Sequence, residues 1–167
     1  MTNTEENLKA AFAGESQANR KYLAFAKKAE EEGLKQIAKL FRAAADAETV
    51  HAHNHLRVMG GIKSTVENLK GAISGETYEF TDMYPKMIED AEKDNNKEVK
   101  ATFNKANPVE KIHAGLYTNA LELAESGKDL EEKQILVCQI CGNTVENKAP
   151  DTCQICGANK DQFKLIE

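Results

Sequence analysis

The chain has 167 residues, with 27 Asp and Glu against 22 Lys and Arg, so its formal net charge is −5. That balance argues against binding nucleic acid or an anionic membrane surface, and a composition 41% apolar and 29% charged is that of a folded globular protein. No stretch reaches the ~20 apolar residues of a membrane span, and the polar, acidic start Met1-Thr2-Asn3-Thr4-Glu5-Glu6 has no secretory signal. A cytoplasmic protein that binds neither nucleic acid nor membrane is therefore expected.

In chain order, the first helix is expected from about Thr4 to Glu32, opened by a Thr2/Glu5 capping box and ended by Gly33. A second runs from Leu34 to about Met59, before Gly60-Gly61. Ser64-Thr65-Val66-Glu67 opens a short connecting helix, expected to close at Gly75. The third helix covers Glu76 to Lys93, Asp94-Asn95-Asn96 makes a turn, and the fourth runs to Ser126-Gly127. The composition then changes to a charged stretch from Lys128 to Lys133, a strand candidate over Gln134–Val137, and cysteine-bearing turns. The expected organisation is an all-α four-helix bundle over 1–127, a linker over 128–134 and a small metal-held β module over 135–167.

Laid on the 3.6-residue period, the second helix aligns Leu34, Ile37, Phe41, Ala44, Glu48, His51, His55 and Met59 on one stripe. The fourth aligns Val99, Phe103, Ala106, Glu110, His113, Tyr117, Ala120 and Ala124. Each stripe contains Glu-x-x-His. The first helix brings Glu15 onto its stripe with Leu8, Phe12, Ala18, Tyr22, Ala26 and Ala29, and the third brings Glu76 and Glu79 in line with Met83, Met87 and Ala91. Burying an unpaired carboxylate costs several kcal/mol, so five acids without a Lys or Arg on these stripes call for cations. Their heights agree. Glu15 lies 18 residues before Gly33, with Glu48 and His51 15 and 18 after it, which puts all three ~22–27 Å from the turn. Glu79 and Glu76 lie 16 and 19 residues before Asn95, with Glu110 and His113 15 and 18 after it. Five carboxylates are nearly neutralised by two divalent ions, and a carboxylate–imidazole shell suits iron or manganese.

Cys138-x-x-Cys141 and Cys153-x-x-Cys156 are eleven residues apart and supply four thiolates for a tetrahedral metal. Zinc and a single iron share that geometry. Pro108 lies within the fourth helix and removes one backbone donor, so a kink is expected there. The alternative is a helix start with Asn107 as N-cap and Glu110 as a capping residue.

Glu15-Ser16-x-Ala18 with Tyr22, the two Glu-x-x-His motifs, Glu76-x-x-Glu79 followed by Met83-Tyr84-Pro85, and the CxxC pair ending Cys156-Gly157-Ala158 closely resemble the rubrerythrin family, from about Ala11 to Phe163. The resemblance implies a ferritin-like di-iron bundle with a rubredoxin-like tail. It implies one iron held by Glu15, Glu48, Glu79 and, after reduction, His51, and another by Glu76, Glu110 and His113, with Glu48 and Glu110 approaching both. Glu79 and His51 would exchange as ligands with redox state, and Tyr22 and Tyr84 would bond ligand carboxylates. The third metal, iron or zinc, would sit on Cys138, Cys141, Cys153 and Cys156. The implied activity is reduction of hydrogen peroxide to water in an oxygen-sensitive microbe, with electrons from an NAD(P)H-dependent reductase or a rubredoxin passing through the tail iron. A homodimer is expected, with helices exchanged across the Gly60–Gly75 connection, because in a compact monomer the tail metal lies far from the bundle site. The competing readings are an iron-oxidising ferritin-like protein and a binding module with a structural zinc. One departure from the family is Gly142-Asn143 where Gly-Tyr is common, a change expected to loosen the packing and expose the tail metal.

Overall fold

The computed structural model describes residues 2–167. It is mostly helical, with a small C-terminal sheet, and divides into two compact units, one ending at Lys63 and the other spanning Ser64–Glu167.

The first unit is a helical hairpin of α1 (Asn3–Glu31) and α2 (Lys35–Val58). Thr2 and Glu5 form the expected reciprocal capping box. The turn closes through Gly33, whose φ of 78° suits a residue without a side chain. The seam between the two helices is narrow and made of small side chains: Ala26 and Ala29 meet Ala38, Ala45 and Ala52, all at most 6% exposed. Asn19 is buried among them and satisfied. Its amide nitrogen donates to the Ala45 carbonyl (2.7 Å) and the Thr49 hydroxyl (2.8 Å), and its oxygen accepts from Arg20 Nε (2.8 Å). On α1 the seam keeps Ala26 and Ala29 of the expected stripe, but on α2 it is not the stripe expected from the periodicity. Alanines every seven residues let the backbones approach, while Leu34 and Ile37 on the acid-bearing stripe stay 46% and 47% exposed.

In the second unit α3 (Thr65–Tyr78) opens on the expected Ser64/Glu67 capping box. It does not close at Gly75. A glycine inside a helix costs only about 1 kcal/mol, and Gly71 and Gly75 are both spanned without a break. The helix instead widens into a π turn over Glu79–Met83 and continues as α4 (Tyr84–Lys93). The Tyr84 N–H donates to the Glu79 carbonyl, five residues back. Pro85 explains the widening: it lacks an N–H and crowds the carbonyl four residues before it, and the extra residue relieves both demands. After a turn at Asn95 (φ 54°), α5 runs unbroken over Lys97–Glu125, capped by the Asn96 side chain accepting from the Val99 N–H. Pro108 sits inside it, so the alternative of a helix start at Asn107 is overturned. The carbonyl that loses its partner belongs to Asn104, which is exposed and open to water. Both α3 and α4 pack against α5.

The tail is a three-stranded antiparallel sheet in the order β2-β1-β3, with β1 Ile135–Cys138, β2 Thr144–Glu146 and β3 Phe163–Ile166. It packs β2 on α5 within the same unit.

Candidate metal centres

Each unit carries one cluster of carboxylate and imidazole donors. In the hairpin, Glu15, Glu48 and His51 bring one ligand atom each within 4.8 Å of one another. His51 Nδ1 lies 3.0 Å from Glu48 Oε2 and 4.0 Å from Glu15 Oε1. The two carboxyls interact directly: the hydrogen bond to Glu48 holds Glu15 above the usual carboxylate range, and the same bond, with His51, holds Glu48 below it. His55, in phase with His51, acts on Glu15 by its charge. The Tyr22 ring packs on Phe25 and Phe41, with centroids 6.3 and 6.2 Å away.

The second unit repeats the plan with Glu76, Glu110 and His113. His113 Nδ1 stands 3.0 Å from Glu110 Oε2 and 3.8 Å from Glu76 Oε2. Burial, then the nearby Glu110, raises the Glu76 carboxyl. Glu79 stands just outside this trio, at the first position of the π turn. Burial and the charge of Glu76 raise it as well. Tyr84, stacked 5.9 Å from Phe103, has its phenol pushed up by burial and by the charges of Glu110, Glu79 and Glu76. Its hydroxyl therefore keeps its proton beside three acids. Packed acids that hold each other's protons in the absence of a cation are the electrostatic signature expected of a metal site, and the oxygen-rich, nitrogen-containing donor set fits iron.

The four cysteines form the third cluster. Cys138 Sγ is 3.7 Å from Cys156 Sγ, and Cys141 Sγ is 3.6 Å from Cys153 Sγ. Those separations are far beyond a disulfide and match the ~3.8 Å edge of a tetrahedron with ~2.3 Å metal–sulfur bonds. Each CxxC ends in a tight turn whose glycine donates back to the first cysteine: Gly142 to Cys138 (2.8 Å, φ 84°) and Gly157 to Cys153 (2.9 Å, φ 75°). Burial alone would raise the Cys153 thiol. The Cys156 and Ile155 backbone N–H groups and the Asn143 amide outweigh it and lower the pKa to about 6. Burial raises Cys141 and Cys156.

Asn143 corrects the sequence expectation. It is 4% exposed, donates its side-chain amide to Cys153 Sγ (3.6 Å) and accepts from the Cys138 N–H (2.9 Å). An amide that can bond sulfur packs where an aromatic ring was expected, and Cys138 and Cys153 are 1% and 2% exposed. A further residue was not foreseen from the sequence. Thr144, on β2, places its hydroxyl 3.0 Å from His113 Nε2. The tail thus reaches the second cluster inside its own chain. Nothing in the spacing of Thr144 foretells this, because it depends on how the module seats on α5.

Comparison with known proteins agrees with these donor sets. The family model described as rubrerythrin matches residues 6–121, and that of the rubrerythrin rubredoxin-like domain matches 137–164. Rubrerythrin-2 of Clostridium acetobutylicum is 35% identical, over 98% of this chain and 96% of its own. Nigerythrin of Nitratidesulfovibrio vulgaris is 39% identical, over 83% and 74%. Solved structures of nigerythrin in its mixed-valence and all-ferrous states are 35% and 34% identical, each covering 99% of this chain and 88% of its own, with a TM-score of 0.57 for both. With the donors of a di-iron carboxylate site and a rubredoxin-like four-cysteine site in place, the chain belongs to the rubrerythrin family.

Proposed function

We propose that the protein is a non-haem di-iron peroxidase that reduces hydrogen peroxide to water, H2O2 + 2 e− + 2 H+ → 2 H2O, as a defence against oxidative stress in the cytoplasm of an anaerobe. The supporting observation is the repeat of one acid-plus-Glu-x-x-His plan in both units, joined by Glu79 at the π turn. In this reading residues 1–127 form the di-iron bundle, 128–134 the linker and 135–167 the electron-delivery module. A homodimer, with helices exchanged across the 60–75 connection, is part of this reading. When bound, the two irons supply the two electrons and the positive charge that orients the peroxide.

The chain's residues then have distinct tasks. Glu48 and Glu110 would serve both metals when these are bound. Glu15 completes the site of one, and Glu76 with His113 that of the other. His51 and Glu79 are the two donors held least tightly: the His51 side chain is 54% exposed, and Glu79 stands outside the second trio. They would be the ligands that exchange with the redox state of bound iron, as the resemblance to the family implies. Tyr84, and Tyr22 in the other unit, bond the ligand carboxylates. A carboxyl raised by burial, such as Glu79 once released, holds a proton at its oxygen within reach of the leaving group. Electrons enter from an NAD(P)H-dependent reductase or a rubredoxin through iron at the four cysteines.

The test is anaerobic addition of peroxide to the reduced, iron-loaded protein, following peroxide loss together with the absorbance of the cysteine-bound iron. Consumption of one peroxide per two electrons is the expected result. Peroxide left intact by fully reduced protein would overturn the reading.

A further inference from the structure

The Thr144 hydroxyl sits between two groups that belong to different centres. Its oxygen lies 3.0 Å from His113 Nε2, and it donates to the Gly142 carbonyl at 3.2 Å. Gly142 follows Cys141 directly and closes the first cysteine turn. A hydroxyl has one proton to give. With that proton on Gly142, its lone pair is left to accept from His113, so His113 carries its proton on Nε2. The ring's free lone pair is then on Nδ1, the nitrogen 3.0 Å from Glu110 Oε2 and 3.8 Å from Glu76 Oε2. Two lone-pair atoms that close repel unless a carboxyl proton or a cation lies between them. The opposite proton arrangement, with Nδ1–H bonded to Glu110, would turn the threonine proton toward the ring and leave Gly142 without it. The bond chain therefore has two directions, and a metal on Nδ1 selects the one that also serves the cysteine turn.

We propose that Thr144 is a positioning residue that holds His113 as an Nδ1 metal ligand, so that the cysteine module of a chain prepares the Glu76–Glu110–His113 cluster of the same chain. The inference deepens the di-iron reading and rests on it. The contact is well placed for such a role. His113 is only 26% exposed. Val109, one turn before it on α5, is 2% exposed and lies beneath Gly142, where a Cβ added at the glycine would meet Val109 Cγ1 at 3.7 Å. The turn and the helix are thus in register, and the hydroxyl has little freedom to leave. Partners of this kind fix the tautomer and orientation of a ligating histidine, and removing one weakens metal binding about 10–100-fold.

The test uses the full chain with zinc in the cysteine site and manganese(II) titrated into the carboxylate site. Thr144→Val keeps the shape and removes the hydroxyl, whereas Thr144→Ser restores it. Manganese is expected to bind Thr144→Val on the order of 10–100-fold more weakly than wild type, with Thr144→Ser close to wild type. In nitrogen-15 spectra of the zinc form, the His113 Nε2–H signal is expected in wild type and Thr144→Ser, and lost to solvent exchange in Thr144→Val. Unchanged affinity in Thr144→Val, or equal loss in both variants, would overturn the proposal. A wild type that binds no manganese would overturn the metal-site reading itself. A wild type that binds it with the expected order of affinities but leaves peroxide intact would overturn only the peroxidase.

Discussion

Glu79 is the residue whose placement bears most directly on turnover. It begins the π turn, stands beside Glu76 without joining the Glu76–Glu110–His113 trio, and is raised by burial. Glu79→Ala is expected to keep the helical fold by circular dichroism, since no cap or buried seam depends on it. It should slow peroxide consumption by reduced protein on the order of 10–100-fold, and unchanged turnover would remove the residue from the mechanism. A second expectation concerns pH. Glu76 and Glu79 have folded pKa values above those of the unfolded chain, so between the two values the folded state binds more protons and loses stability as pH rises. For these groups, metal-stripped protein gains thermal stability as pH falls from neutral toward the ordinary carboxylate range. Bound divalent ions should abolish that trend by replacing the protons. A stripped protein with the same slope as the loaded one would show that these acids do not govern stability. The six donors of the two carboxylate clusters, and Glu79 beside the second, were legible in the sequence because helical spacing fixes which side chains share a face. Asn143 was misread and Thr144 missed, because their partners lie across folded contacts that no periodicity encodes.

At the scale of elements, the helices were legible from their caps and glycines, Gly75 excepted, and the expected stripe carried the donors and the α1 seam residues Ala26 and Ala29 but missed the α2 seam. Ala38, Ala45 and Ala52 are buried in place of the stripe because small residues let two helices approach closely, and a hydropathy pattern gives them little weight. The π turn was also unforeseen, although Pro85 was its visible cause. Its consequence is rotational. One extra residue between Glu79 and Tyr84 turns the following helix by about 100° relative to an uninterrupted α-helix, and with it Tyr84 keeps company with Glu110, Glu79 and Glu76. Deleting exposed Thr81 should close the turn to α geometry, leave the helical signal nearly intact and swing either the acids or the tyrosine away from α5. Metal analysis is then expected to show loss of iron from the carboxylate centre with the cysteine metal retained. Full occupancy of both would mean that the wide turn does not set the site's register.

For the whole molecule the question raised by the proposed function is how electrons would reach the peroxide. The tail metal of a compact monomer was expected far from the bundle site, but a linker over 128–134 says only how far a module can travel and not where it lands. The structure seats β2 against α5, with Thr144 on His113, so the second cluster and the cysteine module share one unit. This predicts a separation of chemistry from supply. Cys141→Ser removes one of the four thiolates and should cost the tail its iron, together with the red colour of an iron–thiolate centre, while Glu76, Glu110 and His113 keep their geometry on α3 and α5. Protein of this variant reduced chemically beforehand is expected to consume its first peroxide at close to the wild-type rate, because the reacting site is whole. Sustained turnover driven by NAD(P)H and a reductase is expected to fall to the level seen without the protein, because the entry point is gone. Stopped-flow measurement of the first turnover and a steady-state assay separate the two outcomes. Equal steady-state rates in variant and wild type would mean that electrons enter the carboxylate centre directly, and the tail would then be a structural module rather than a conductor.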